Sequence, residues 1–249
     1  MVELVVFLAG DDLGDLILEE LIESATENFH VIAHNPSSNF LKLVTRSGGK
    51  AQIVSTVSGK PDWDKIGDLV IKFKSVRGFS WFPFIFPQNF INLFDAGILN
   101  IHNSYLPFNR GRHSTFWAIM DGTQFGASIH WVSKGIDAGF LVERIEVEAS
   151  IFANASLISK MQLGACLKLA KKFIPLLHKE INAGVAQNEA DATFHFSQDI
   201  LAATTFSNES AVTWDEVVRL VRATATDKGC LRILYSDGRE LRLRGSVID

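Results

Sequence analysis

The sequence predicts an α/β domain with a Rossmann-like, mostly parallel sheet and helices on both of its faces. Two observations lead there. Strands are read at Glu3–Ala9, Phe29–Ala33, Ala51–Val57 and Val76–Phe82, and the continuous apolar, β-branched run at Glu3–Ala9 reads as a strand buried on both faces. Segments of helical spacing separate the first three of them, and strand–helix alternation is the signature of a parallel sheet. Hydrophobic residues make up 47% of the 249-residue chain, enough to fill a large core.

In order, the first strand stops at Gly10, and Leu13, Ile17, Leu18, Leu21 and Ile22 then mark a helix over Leu13–Ile22. Asn39–Thr45 reads as the second helix. The fourth strand runs into Phe82-Pro83-Phe84-Ile85-Phe86-Pro87, where two prolines exclude regular helix. Gln88–Phe94 is a short helix closed by Ala96-Gly97, and Ile98–His102 is a strand. Ser114–Met120 reads as a helix capped by Ser114 and closed before Gly122. Ala127–Val132 and Phe140–Val147 form a last pair of strands. The longest helix is expected over Ser156–Ile181, with an apolar stripe through Ile158, Met161, Ala165, Leu169, Phe173, Leu176 and Leu177. Val185–Ala192 is polar and reads as a linker. Beyond it, Trp214–Arg222 is helical, and Leu231–Tyr235 and Glu240–Leu243 flank a hairpin turn with Asp237-Gly238 at its centre. The expected division is a main domain over 1–184 and a small α+β appendage over 185–249.

Composition narrows the function. A formal net charge of -4 gives no general attraction for nucleic acid. The two cysteines, Cys166 and Cys230, lack metal-ligand spacing and read as buried, reduced thiols. The first residues are too few and too acidic for a signal peptide. No apolar run approaches the ~20 residues a membrane helix needs. The expectation is a soluble, cytoplasmic protein.

The stretch with most chemistry is Asn100-Ile101-His102-Asn103-Ser104-Tyr105-Leu106-Pro107-Phe108-Asn109-Arg110-Gly111. Residues two apart on a strand share a face, so Asn100 and His102 project together. An amide can donate to an oxyanion, and an imidazole can donate or take a proton. The same pair also fits two polar groups that merely satisfy each other. In Gly135-Ile136-Asp137-Ala138-Gly139 a carboxylate sits on a loop whose backbone can approach a ligand closely. Folded toward Asn100 and His102, Asp137 would orient the imidazole and hold its proton. It fits an ordinary turn aspartate as well. Gly10-Asp11-Asp12-Leu13-Gly14 is no dinucleotide fingerprint. His102, His113 and His130 show no metal-binding pattern, and His130 is expected on a strand face.

Taken in order, Asn100-Ile101-His102-Asn103-Ser104, Leu106-Pro107, Arg110-Gly111, the helix from Ser114, Ser128-Ile129-His130-Trp131 and the Asp137 loop resemble the folate-dependent formyltransferases. That family includes glycinamide ribonucleotide, methionyl-tRNA and nucleotide-sugar N-formyltransferases. The resemblance runs from about Gly78 to Val147, and Val2–Val76 has only a compatible strand–helix order. It implies that Asn100 and His102 flank a formyl carbonyl, with Asp137 supporting His102. It implies N10-formyltetrahydrofolate as co-substrate, no metal, and a folate slot against Trp81, Phe82, Phe84, Ile85 and Ile91 with Ser133 and Gly135 of the loop. About half of the aromatics in that segment are expected to be core instead. Ser104, Asn109, Arg110 and Gly111 are the implied acceptor contacts, although Arg110 also suits a brace for its own loop.

Within the family, Gly10-Asp11-Asp12 stands where glycinamide ribonucleotide enzymes hold phosphate, and two carboxylates there would repel it. The tail from Glu189 looks too short for the RNA-binding barrel of the tRNA enzymes. The resemblance therefore leans to transfer onto the amine of a nucleotide-linked amino-dideoxy sugar, of the kind used in O-antigen and lipopolysaccharide biosynthesis. It implies no nucleic-acid or membrane partner and leaves a homodimer open. A non-catalytic folate or sugar-nucleotide binder, and a hydrolase passing the formyl group to water, stay as alternatives.

Overall fold

The computed structural model describes residues 2–24, 27–207, 209–226 and 231–243. Cys230 and the last residues of the tail lie outside them. In chain order the elements are β1 (Glu3–Ala9), α1 (Asp12–Ser24), β2 (Phe29–His34), α2 (Ser38–Arg46), β3 (Ala51–Val57), α3 (Trp63–Val70), β4 (Val76–Trp81), α4 (Gln88–Ile91) and β5 (Ile98–His102). They continue with β6 (Arg110–Gly111), α5 (Ser114–Asp121), β7 (Phe125–Trp131), β8 (Leu141–Val147) and α6 (Ala155–Phe173). The rest are β9 (Phe194–His195), α7 (Asp199–Ala203), β10 (Thr205–Ser207), α8 (Trp214–Thr224), β11 (Leu231–Leu234) and β12 (Glu240–Leu243).

The chain forms two compact units, each drawn from several stretches. The first comprises 1–102, 128–144 and 166–187, the second 103–127, 145–165 and 188–249. The boundary expected at residue 184 divides the chain in sequence, whereas these units divide it in space.

The first unit is built on a seven-stranded sheet in the order β3-β2-β1-β4-β5-β7-β8. Every pairing from β3 to β5 is parallel, and β7 runs antiparallel to β5. The expected mostly parallel sheet is therefore present. Val5 and Phe7 of β1 point into a core shared with Ile66 and Val70 of α3 and Phe90 of α4. Leu4, Val6 and Leu8 point the other way and are equally buried. Strand β1 is thus covered on both faces, which is why it reads as an unbroken apolar run.

Phe7 is the hub of the aromatic side of this core. It meets Phe82, Phe86, Phe90 and Phe94 with ring centroids 4.9 to 5.9 Å apart, three of the four edge-on. Replacing it with alanine opens a cavity that these rings cannot close. Phe7→Ala is expected to cost ~3–5 kcal/mol, read as a lower denaturant midpoint with an unchanged slope.

The second unit has its own core, with Phe116, Trp117 and Ile119 of α5 meeting Ala155 and Ile158 of α6 and Ala223 of α8. Its sheet runs β10-β11-β12, parallel then antiparallel, and contains the expected hairpin. A two-residue parallel ribbon, β6 with β9, ties the Arg110 loop to residues 194–195.

Three local expectations are corrected. The long helix stops at Phe173 and passes into a 3₁₀ turn over Ile174–Leu176, because Pro175 has no N–H to continue the ladder. Ser114 is the first helical residue of α5 rather than its cap. The cap is His113 in a left-handed conformation, φ 60°, and the Ser114 hydroxyl donates instead to the Asn103 carbonyl. Helix α3 lay in a stretch with no expected element. It is capped by Asp62, whose side chain accepts from the Lys65 N–H.

Candidate functional site

Strand β5 lies between β4 and β7, and the register fixes the neighbours of Asn100. Ser80 of β4 lies on one side and His130 of β7 on the other. Asn100 and His102 share a face, as strand periodicity requires, and His102 is 8% exposed.

Asp137 reaches this face from the loop between β7 and β8. It adopts φ 49°, a left-handed conformation that aspartate tolerates better than most residues. Two residues on, a Cβ at Gly139 would lie 1.6 Å from the Trp131 carbonyl oxygen, so only glycine lets the loop fold back this tightly. Gln187 pins the loop from outside, donating to the Asp137 carbonyl at 2.8 Å and to that of Gly139 at 2.7 Å. Gln187 falls in the stretch expected to be a linker, so that stretch does more than connect.

The result is a cluster of an amide, two imidazoles and a carboxylate. Asp137 Oδ2 lies 3.7 Å from His102 Nε2, and its Oδ1 lies 3.5 Å from His130 Nε2. Both imidazoles are nearly buried while the carboxylate keeps some exposure. The trio expected from sequence is brought together. His130 joins it, a residue expected only on a strand face.

The hydrogen bonds orient Asn100. His130 Nδ1 is 3.0 Å from the Trp131 carbonyl. A carbonyl only accepts, so Nδ1 carries the proton. In the neutral ring Nε2 is then an acceptor, and it receives an N–H of Asn100 at 3.1 Å. That bond turns the amide nitrogen of Asn100 into the site and uses one of its two N–H groups. A His130→Phe variant keeps the ring volume and removes this acceptor. Loss of one neutral hydrogen bond is worth ~1 kcal/mol, so turnover that relies on the Asn100 amide is expected to fall roughly fivefold to tenfold, with substrate KM little changed.

The aromatic segment divides as follows. Phe86 is buried in the core, and Phe82, Phe84 and Ile91 pack partly against it. Ile85 is exposed, as are Ser133 and Gly135. Trp81 is held at the end of β4, its indole N–H donating to the Asp11 carboxylate at 3.0 and 3.1 Å. The same carboxylate accepts from the Gly14 N–H at 2.8 Å, closing the first turn of α1. The start of α1 is therefore occupied by the protein's own anion, at the place where the sequence argued against phosphate.

In the second unit, Ser104, Asn109, Arg110 and Gly111 lie on one loop, with their polar side chains turned to its own scaffold. Ser104 donates to the Phe108 carbonyl. Asn109, buried and at φ 55°, donates to Thr123 at 2.7 Å. Arg110 makes a two-pronged bond to Glu189 at 2.8 and 2.9 Å. That bond, with the smaller effect of the guanidinium charge, holds the Glu189 carboxyl below its ordinary range. Gly111 at φ 90° lies where a Cβ would meet the His195 carbonyl oxygen at 2.8 Å. The brace that Arg110 also suited is the geometry observed.

Among the described residues no group of three or more His, Cys, Asp or Glu side chains could hold a metal ion. No helix among them is long and apolar enough to cross a membrane.

Residues 79–162 match the formyl transferase family model. The matched stretch contains β5, the braced loop, α5, β7 and the Asp137 loop. Methionyl-tRNA formyltransferase of Bacillus cereus (strain B4264) is 26% identical over 212 residues, which is 78% of this chain. The chain spans 64% of the length of that relative. Among solved structures, a sugar N-formyltransferase from Shewanella sp FDAARGOS_354 superposes with a TM-score of 0.79 at 16% identity, covering 99% of this chain and 98% of that one. An N-formyltransferase from Helicobacter canadensis, solved with folinic acid and dTDP-3-aminofucose, superposes with a TM-score of 0.71 at 18% identity, covering 92% and 82%. The matched stretch therefore sits in a chain that shares its fold with these N-formyltransferases.

Proposed function

We propose that the protein transfers a formyl group from N10-formyltetrahydrofolate to the primary amine of a nucleotide-linked amino-dideoxy sugar. The observation that carries this reading is the cluster of Asn100, His102, His130 and Asp137 on one face of β5 and β7. It holds the groups an acyl transfer to an amine needs, with an N–H to meet an oxyanion and a buffered base to take a proton. The acceptor nitrogen adds to the formyl carbon. The carbonyl oxygen takes the charge and accepts from the second N–H of Asn100. His102 takes the proton that the amine gives up, and the Asp137 carboxylate stabilises the imidazolium. Collapse re-forms the carbonyl and breaks the bond to N10, and N10 leaves with the proton as tetrahydrofolate.

The pterin of the co-substrate would lie against Trp81, Phe82, Phe84, Ile85 and Ile91, with Ser133 and Gly135 at its edge. A flat heterocycle needs such an apolar slot with a few edge hydrogen bonds. The Helicobacter relative, solved with a folate and a nucleotide amino sugar, supports the choice of both substrates. Ser104–Gly111 would present its backbone to the acceptor. The reading extends to cytoplasmic action, to products destined for O-antigen or lipopolysaccharide, and to a homodimer.

The test is incubation with formyl-tetrahydrofolate and a panel of nucleotide-linked amino sugars, read by mass. The expected product is heavier than its acceptor by one formyl unit. Formate released without any amine would make the protein a hydrolase. No transfer to any amine would make it a binding protein.

A further inference from the structure

We infer that Ser80 is a positioning residue for the proposed transfer, its hydroxyl donating to Asn100 Oδ1, directly or through one water, as the second N–H of Asn100 meets the formyl oxygen. This role rests on the formyl-transfer reading. Ser80 is wholly buried in β4, and its Oγ has no hydrogen-bond partner among the described residues. A buried hydroxyl left unpaired is costly, so such a group calls for an explanation. Its neighbours narrow the choice. A Cβ at Gly78 would meet Ile98 Cγ1 at 2.8 Å, so residue 78 of β4 and residue 98 of β5 share a face. Two residues on, Ser80 and its register partner Asn100 share that face too. Along β4 the adjoining positions on it are Gly78, which has no side chain, and Phe82. Across the sheet they are Phe7 of β1 and Asn100 of β5. Of these four only Asn100 carries a polar side chain.

Asn100 has use for a second anchor. Its bond to His130 Nε2, at 3.1 Å from the amide nitrogen, holds one end of a planar group. The amide torsion of asparagine is broad, so one bond lets the plane twist about it. A twist carries the second N–H off the formyl oxygen. With the nitrogen held on the β7 side, the amide oxygen is directed away from β7, and β4 is the strand on the other side of β5. A bond donated to Oδ1 fixes the plane. It also draws electron density from the amide, which makes the remaining N–H a stronger donor. The Ser80 hydroxyl turns on a single torsion with staggered wells, so it closes this bond without moving the strand. Catalytic hydrogen bonds commonly tighten only once substrate is in place.

Ser80→Ala, measured on the full chain with formyl-tetrahydrofolate and an amine that wild-type protein formylates, is expected to lower kcat roughly fivefold to tenfold, the size of one lost neutral hydrogen bond. Both KM values are expected to change little. The melting temperature is expected not to fall, since the hydroxyl removed had no partner. Ser80→Cys separates donation from packing, because it fills the space but offers only a weak donor. It is expected to turn over nearly as slowly as Ser80→Ala, and it carries the test alone if Ser80→Ala does not fold. The deciding measurement is a double-mutant cycle. In an Asn100→Ala background, Ser80→Ala is expected to cost nothing further. Turnover of Ser80→Ala at the wild-type rate overturns the inference. So does a Ser80→Cys variant as fast as wild type, which would make the role one of volume. An undiminished loss in the Asn100→Ala background overturns it too, by detaching Ser80 from Asn100. In each of these cases wild-type protein still formylates an amine, so the proposed activity stands and only the role of Ser80 falls. Wild-type protein that formylates none removes the activity and this role together.

Discussion

A His102→Ala variant is expected to remain folded and to turn over about 10²–10⁴ times more slowly, the range for loss of a positioned acid or base. The imidazole sits at the end of β5, nearly buried, with Asp137 3.7 Å from its Nε2. Desolvation sharpens every charge interaction in such a place. On the proposed mechanism the amine sheds a proton as it adds to the formyl carbon, and His102 is the base assigned to take it, with the Asp137 carboxylate beside it. The strand around it is anchored by Leu99 and Ile101, both buried, so truncating one side chain at the strand end leaves the backbone pairing to β4 and β7 intact. The measurement is single-turnover formyl transfer, with melting temperature as the control for folding. A folded variant with normal turnover would remove His102 from the chemistry. A loss confined to KM would recast it as a group that only binds.

The sequence reading matched the boundaries of β1, β3 and β5 to the residue; for β1 the signal is an unbroken apolar run with a clear stop, whereas β3 is a part-exposed edge strand. The long helix was overextended for an instructive reason. Leu176 and Leu177 keep the helical spacing beyond Phe173, and that continuity masked the local rule at Pro175. Helix α3 is only two turns long, with Ile66 and Val70 as its large buried side chains, too few to set a period. Asp62 before it was the readable signal.

The site shows the same division between local and distant information. Asn100 and His102 were legible because they are two apart on one strand, and Asp137 because its flanking glycines mark a special backbone. His130 was not legible as a member. Its membership depends on the register that places it opposite Asn100, thirty residues away in sequence. Gln187 was not legible either, since its value lies in two carbonyls about fifty residues back. In the aromatic segment the sequence could say that about half would be core, but only packing distinguishes Phe86 from Ile85.

The second large effect is expected at Asn100. Loss of one donor to a developing oxyanion costs ~10²–10³ in turnover, and Asn100→Ala is expected to fall in that range with a KM for the formyl donor that changes much less. Truncation alone leaves another account open, however, because Asn100 also bonds His130 at 3.1 Å. The Asn100→Asp variant separates the two roles. A carboxylate keeps the shape of the amide and can accept a proton from a protonated His130, so a residue that served only as a brace would tolerate the change. A residue that meets an oxyanion would not, since the carboxylate offers no N–H and sets a negative charge against the one that forms. Turnover of Asn100→Asp is therefore expected to be at least as low as that of Asn100→Ala. Recovery of activity in Asn100→Asp, measured beside an unchanged melting temperature, would place Asn100 behind His130 and leave the oxyanion to another donor.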